Sequence, residues 1–280
     1  MQSPFLTKYT NLTILHNMSE ICAILSPAKT LEMSFDQKFR CSKPRFETDA
    51  HELVDEISHY SVSKLSKLMK ISEKLSSVNV ERWKLFNSKG NDSGPAALSF
   101  RGHVYQGFEA WSLDEQSLEW AQKHIRILSG LYGLLRPMDK IQPYRLEMGT
   151  KLKTQRGKNL YEYWGDSISK LLKKDLLKIK SKFLFNLASN EYSKAIDFGS
   201  LRVNVINIDF LEKKGRQTRF ISFDAKTARG LMARWMSLEK PRSISDVKDF
   251  NLNGYAFDQS ASTDLNLVFT RKKPASRKAS

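Results

Sequence analysis

Phe183–Leu187 (FLFNL) constrains the fold more than any other segment of this chain. It is nearly continuous and apolar, so it fits a strand covered on both faces and central in a sheet. Glu20–Leu25 (EICAIL) is a second short apolar run and ends at Ser26-Pro27, a strand followed by a turn. Val203–Phe210 and Arg219–Phe223 alternate at period two, and Leu265–Phe269 gives a closing strand. Between these runs the apolar spacing is helical over Asp49–Tyr60. A second helix follows, with Leu65, Leu68, Ser72 and Leu75 on one face and Ser63 as its cap. Ser112 and Glu115 form a capping-box pattern ahead of Leu118, Ala121, Ile125 and Leu128, a helix expected to end near Ser129-Gly130. Helices are also expected over Leu160–Lys180 and Ala225–Leu238. Asn87–Pro95 is the most loop-like internal stretch, but nothing after it reads as a new domain. There is no fixed repeat and no regular βαβ count. The pattern predicts one α+β domain, a mixed sheet surrounded by helices.

Charge bears on function rather than fold. Of 280 residues, 46 are Lys or Arg and 30 are Asp or Glu, a net charge of +16. Such an excess favours a polyanionic partner, nucleic acid or an anionic surface. The longest apolar run is too short to span a membrane. Two cysteines, Cys22 and Cys41, cannot build a disulfide framework, so a reducing cytoplasm fits best. The five histidines show no zinc-ligand spacing and no Cys-x-x-Cys exists, so no metal or cofactor is expected. Residues 1–17 read as a disordered extension or an upstream start. Residues 18–270 read as the domain, and 271–280 (RKKPASRKAS) as a solvated basic tail.

Several segments carry residue types suited to anions. Ser26-Pro27-Ala28-Lys29-Thr30 follows the first strand, and in open α/β sheets ligands gather beyond the carboxyl ends of strands. It lacks the glycines of a P-loop. Gly130-Leu131-Tyr132-Gly133 reads as a tight turn after a capped helix, an imperfect match to the Gly-x-Gly loop of helix-hairpin-helix DNA-binding elements. Arg136-Pro137 and Pro143-Tyr144-Arg145 place two arginines on stiff backbone, and Glu147 sits close enough to pair with Arg145. Phe100–Gly107 is a loop approaching a ligand or a bulged hairpin. Asn186–Tyr192, with Ser189 and Glu191, ends the FLFNL strand where a parallel sheet displays its site. Lys226 and Arg229 share a helix face and oppose the macrodipole at a helix start, a mild cost that suggests an anion contact or pairing with Glu191. Convergence of Lys29, Arg136, Arg145, Lys226 and Arg229 would make a basic cleft.

The strings SPAKT (26–30), KISEKL (70–75), SGLYGLLRPMDKIQPYRLEMG (129–149), YEYWGD (161–166), NLASNEY (186–192), ISFDAKTARGLMARW (221–235) and GYAFD (254–258) together resemble the YaaA peroxide-stress protein family, across nearly the whole chain. The resemblance implies a single-domain cytoplasmic bacterial protein of mixed α/β build, tied to protection from hydrogen peroxide and to less free iron for damage to DNA. It also implies DNA binding through a basic cleft and a helix-hairpin-helix-like element mapping onto Ser129–Arg136. Lys29, Lys74, Arg136, Arg145, Lys226 and Arg229 fall inside the matching strings, and Gly130 and Gly133 form the hairpin loop.

The expected function is therefore a DNA-binding protein of the peroxide response. It would hold phosphate backbone, largely without sequence specificity, on duplex or junction shapes. The alternative is an enzyme acting on a nucleotide or nucleobase, with Glu147 and Glu191 as acid/base carboxylates and Lys29 and Arg229 as phosphate holders. Iron storage is disfavoured by the cationic charge and by the lack of Glu-x-x-His.

Overall fold

The computed structural model describes residues 20–35, 39–214, 217–219 and 221–272. The expected extension at 1–17 lies outside them, as do residues 273–280 of the tail.

The chain opens with β1 (Ile21–Leu25), buried at every position. After the Ser26-Pro27 turn come the short β2 (Thr30–Leu31) and the helix α1 (Glu47–Ser58). The stretch expected as one helix from Leu65 to Leu75 is two, α2 (Val62–Met69) and α3 (Glu73–Leu85). Lys70 breaks it with a left-handed backbone (φ 53°), and Ser61 and Ser72, not Ser63, cap the two pieces. Next come β3 (Gly94–Pro95), α4 (Ala96–Ser99), β4 (Phe100–Arg101) and α5 (His103–Phe108). Phe100–Gly107 is thus a strand end running into a helix rather than a hairpin.

The helix α6 (Glu115–His124) is capped by Asp114, whose side chain accepts from the Ser117 N–H. Ser112 donates its hydroxyl to the Glu109 carbonyl instead, so the Ser112–Glu115 capping box does not form. Nor does α6 reach Ser129. Ile125–Ser129 is a strand, β5, buried at all five positions. Ile125 and Leu128 continue the helical spacing of α6 only by coincidence. Burial on both faces decides the conformation, because such a run completes a sheet better than a one-sided helix.

The chain continues through β6 (Gly133–Leu135), β7 (Lys140–Ile141), α7 (Leu160–Trp164) and α8 (Ser167–Lys178). Gly165, with φ 47°, divides the single helix expected over 160–180. The FLFNL segment is β8 (Phe183–Leu187), followed by α9 (Asn190–Ser193), β9 (Asn204–Lys214) and β10 (Gln217–Arg219). The strand expected at 219–223 stops at Arg219. The long helix α10 (Ser222–Glu239) takes Phe223, and α11 (Ile244–Val247), β11 (Ala256–Phe257) and β12 (Asn266–Lys272) close the fold. Arg271 and Lys272 therefore belong to the sheet rather than to a tail.

The main sheet runs β11-β12-β9-β8-β1-β5-β6, with β10 added to β9. β5, β1, β8, β9 and β12 are parallel, while β6, β10 and β11 pair antiparallel. This is the expected α+β mixed sheet, and FLFNL lies at its middle. The chain leaves β1 toward β5 on one side, and leaves β8 toward β9 on the other. β1 and β8 are neighbours, so the strand order reverses between them and their carboxyl ends flank a crevice.

α5 and α10 are pressed together beside that crevice. A Cβ on Gly107 would collide with the Thr227 carbonyl, and one on Gly230 with the Val104 carbonyl. Two glycines facing each other's helix let the backbones approach closely, and the site inherits the fixed spacing.

Candidate functional site

The crevice is a cleft of about 340 Å³, lined from β1 by Ser26 and Lys29, from β8 by Ser189 and Glu191, and from α10 by Lys226 and Arg229. Its floor is knitted together by hydrogen bonds. The Ser189 N–H donates to Ser26 Oγ at 2.9 Å, and the two hydroxyls lie 3.2 Å apart. The buried Tyr105, on α5, donates to the Ser26 carbonyl at 3.1 Å. Burial drives the Tyr105 and Tyr192 phenols far up, so both remain protonated and act as fixed donors.

The charges around the cleft are unevenly matched. Arg145 holds Glu147 Oε1 through Nη2 at 2.9 Å and Nε at 3.1 Å, and Lys29 Nζ approaches the same oxygen at 3.3 Å. Glu147 Oε2 is buried with no hydrogen-bond partner among the described residues. Arg145 has a further cation beside it, Arg82 on α3, whose own guanidinium is pulled down by burial and by Arg145. Glu191 accepts from the Gly149 N–H at 3.1 Å. It forms no ion pair with Lys226 or Arg229 among the described residues, so the pairing considered from sequence is not made.

Lys226 is exposed and has no carboxylate partner among the described residues. Arg229 is mostly buried, and its Nε has no partner there either. Burial holds its guanidinium below the ordinary arginine value, opposed by the charge of Asp209, with which it forms no ion pair. Such a group gains from any anion that enters the cleft. Arg101 also lines the cleft but is already engaged, donating to the Leu98 and Phe100 carbonyls and lying 4.7 Å over the Trp111 ring.

The structure thus brings Lys29, Lys226 and Arg229 together and sets Arg145 behind them through Glu147. The other expected site residues fall elsewhere. Arg136 points away and is spent on Asp139, which it contacts through Nη2 at 2.7 Å and through its backbone N–H at 2.8 Å. Lys74 is exposed in the first turn of α3 and does not line the cleft.

The helix-hairpin-helix-like element is not confirmed, and its mapping onto Ser129–Arg136 fails. Gly130–Gly133 is the buried turn of the β5–β6 strand hairpin, with no helix directly after it. The Leu131 and Tyr132 N–H groups, which such an element would offer to phosphate, donate instead to Ser129 Oγ. Gly130 is glycine because a Cβ would strike the Leu146 carbonyl. Gly133 takes φ 61° under Trp164 and Phe46. Both glycines serve packing.

Sequence reasoning missed Arg82 and Phe223. Phe223 was hidden by a strand pattern that the helix overrides. It is an exposed aromatic lying 5.0 Å, ring to ring, from the cleft residue His103.

Among the described residues no group of three or more His, Cys, Asp or Glu could hold a metal ion, and no helix is long and apolar enough to cross a membrane. The fold and cleft define a class: an α+β protein with a cationic site at the switch point of a largely parallel sheet. Within that class the chain belongs to the YaaA family, since the family model described as peroxide stress protein YaaA matches residues 21–261. A UPF0246 protein of Idiomarina loihiensis is 48% identical over 252 residues, covering 89% of this chain and 98% of its own length. UPF0246 proteins of Phenylobacterium zucineum and of a Marinomonas species are each 43% identical, covering 90% and 91% of this chain and 95% and 98% of their own.

Proposed function

We propose that this member of the peroxide-stress family binds DNA, holding backbone phosphate on Lys29, Lys226 and Arg229 at the carboxyl edge of the sheet. One observation carries the reading. Three cations from two distant parts of the sequence meet in one open cleft, and two of them have no acidic partner among the described residues. A chain of net charge +16 would be drawn to DNA from a distance, and the cleft would then fix its position. Bound to DNA, the protein would shield the strand from peroxide chemistry.

The test is a titration of the full chain with fluorescent duplex DNA across a salt series. Lys226→Glu combined with Arg229→Gln is compared with Lys174→Glu and Lys178→Glu, two exposed lysines on α8. The cleft pair is expected to lose more than about ten-fold in affinity and to flatten the salt slope by roughly 2, about 1 per lost phosphate contact. The α8 pair should fall much less. Equal losses would assign binding to diffuse charge and remove the cleft from the account.

A second reading has its own support. Glu147 Oε2 is a buried acceptor without a partner, a group that backbone phosphate has no use for. An enzyme acting on a nucleotide would use it as an acid/base group, with Lys29 and Arg229 holding the phosphate. Turnover of a nucleotide that disappears in Glu147→Gln would establish that role.

A further inference from the structure

We propose that the cleft receives a nucleotide whose base is unstacked, with its phosphate on Lys226 and Arg229 and its base on a shelf formed by His103 and Phe223. This rests on the reading that the cleft holds a phosphate, and it adds what the rest of the ligand must be.

Phe223 is 65% exposed, whereas most of the aromatic side chains lie in the core. An exposed phenylalanine forgoes the burial that ordinarily places it inside. Its ring meets that of His103 at 5.0 Å and 69°, an edge-to-face arrangement. His103 in turn lines the cleft. The two residues come from α10 and α5, the helices locked by Gly107 and Gly230, so the shelf is preorganised.

The spacing on α10 supplies the rest. Phe223, Lys226 and Arg229 recur every third residue and so lie along one side of the helix. Six residues rise about 9 Å along a helix axis. That compares with the reach of one nucleotide from phosphate to base. The cleft, about 340 Å³, is at the small end of ligand pockets. That volume suits one such unit rather than a stack of bases. The chemistry recognised is therefore a nucleoside phosphate with a free base face. Its source is either a strand end, gap or flipped position in DNA, or a free nucleotide.

The experiment uses the full chain with three fluorescent DNAs: an intact duplex, the same duplex with one unpaired 3′ nucleotide, and that overhang without its base. A mononucleotide and its base-free sugar phosphate are titrated alongside. The overhang is expected to bind more tightly than the other two DNAs. Phe223→Ala should cost roughly 5- to 150-fold on the overhang, the range for losing one stacking partner. It should cost far less on the intact duplex, whose bases stay stacked, and Phe223→Tyr should restore overhang binding. Equal binding of all three DNAs that is sensitive to Lys226→Glu but indifferent to Phe223→Ala would overturn the shelf while leaving DNA binding in place. Phe223-dependent binding of the mononucleotide without DNA binding would keep the shelf and remove the DNA reading. Absence of binding to every probe would overturn both.

Discussion

Arg136 and Arg229 were expected at the same site, and the structure gives them opposite fates. Around Arg136 the guanidinium and the backbone N–H both meet the fully buried Asp139, and Ser42 donates to that carboxylate at 2.6 Å. In the cleft, Arg229 is also mostly buried, yet its Nε faces no acceptor among the described residues. The same division recurs elsewhere. Arg45 and Arg126 both grip Asp175, and Arg271 bridges Glu212 and Asp224. A buried arginine with its carboxylate in hand is part of the fold. One held mostly buried without an ion pair is where the proposed phosphate would bind.

The sharpest way to break this comparison is to remove the acid from the matched corner. Asp139→Ala leaves Arg136 with only the Lys43 carbonyl and takes an acceptor from Ser42, so a loss of about 3 kcal/mol in urea unfolding is expected. A loss below about 1 kcal/mol would mean that pairing does not separate the two regions. Gly230→Ala comes next. The new methyl strikes the Val104 carbonyl and forces α10 off α5, for about 1–3 kcal/mol. It should also weaken ligand binding, because Lys226 and Phe223 move with the helix, whereas an added methyl on the exposed Gly90 side of the fold should not.

Arg229→Met should change stability little, within about 0.5 kcal/mol in either direction, because no protein ion pair is broken. The same variant should lose phosphate-dependent binding. A destabilisation as large as that of Asp139→Ala would show that Arg229 is structural after all, held by a contact that outweighs its desolvation.

The paired arginines explain which parts were readable in the sequence. β1, β8 and β12 were visible because each is a short apolar run, and the cleft residues of 26–30 and 186–192 followed from the ends of two of them. β5 was not visible, since its apolar residues continue the spacing of α6 and its Arg126 reads as a surface residue. That arginine is tolerated inside because Asp175, 49 positions away, waits across the fold. Pairings at such separations leave no local trace. Arg136 and Asp139, only three residues apart, could have left one, yet Arg136 was expected in the basic cleft, and it is the structure that shows it paired. Phe223 was obscured for a different reason: alternation over RFISF is a strand signal, and tertiary packing through Gly230 overrules it.

The smallest expected effect sharpens the matched side of the comparison by adding one charge to it. His124 closes α6 beside β5, with Nδ1 2.8 Å from the Ile21 carbonyl oxygen, its ring stacked on Trp120, and Glu20 3.4 Å from Nε2. Burial, the largest influence, lowers its affinity for a proton against the Ile21 carbonyl and Glu20, and Arg126 and Lys123 add smaller pushes in the lowering direction. A histidine depressed in the folded state takes up its proton more readily when unfolded. Its contribution to stability is therefore complete above about pH 6.5, the ordinary histidine value, and is lost as pH falls below it toward the folded value. The lowered carboxylate of Asp175 acts with the same sign, but only once pH falls below the ordinary aspartate value near 4. The interval from pH 6.5 to 5 is thus clear of Asp175. Urea unfolding across it should show stability falling toward acid in the wild type, and a flatter dependence in His124→Gln, which keeps a donor for Ile21 but cannot charge. An unchanged slope in the variant would mean that the proton is accommodated, and that the corner built around Arg126 tolerates extra positive charge as the cleft does.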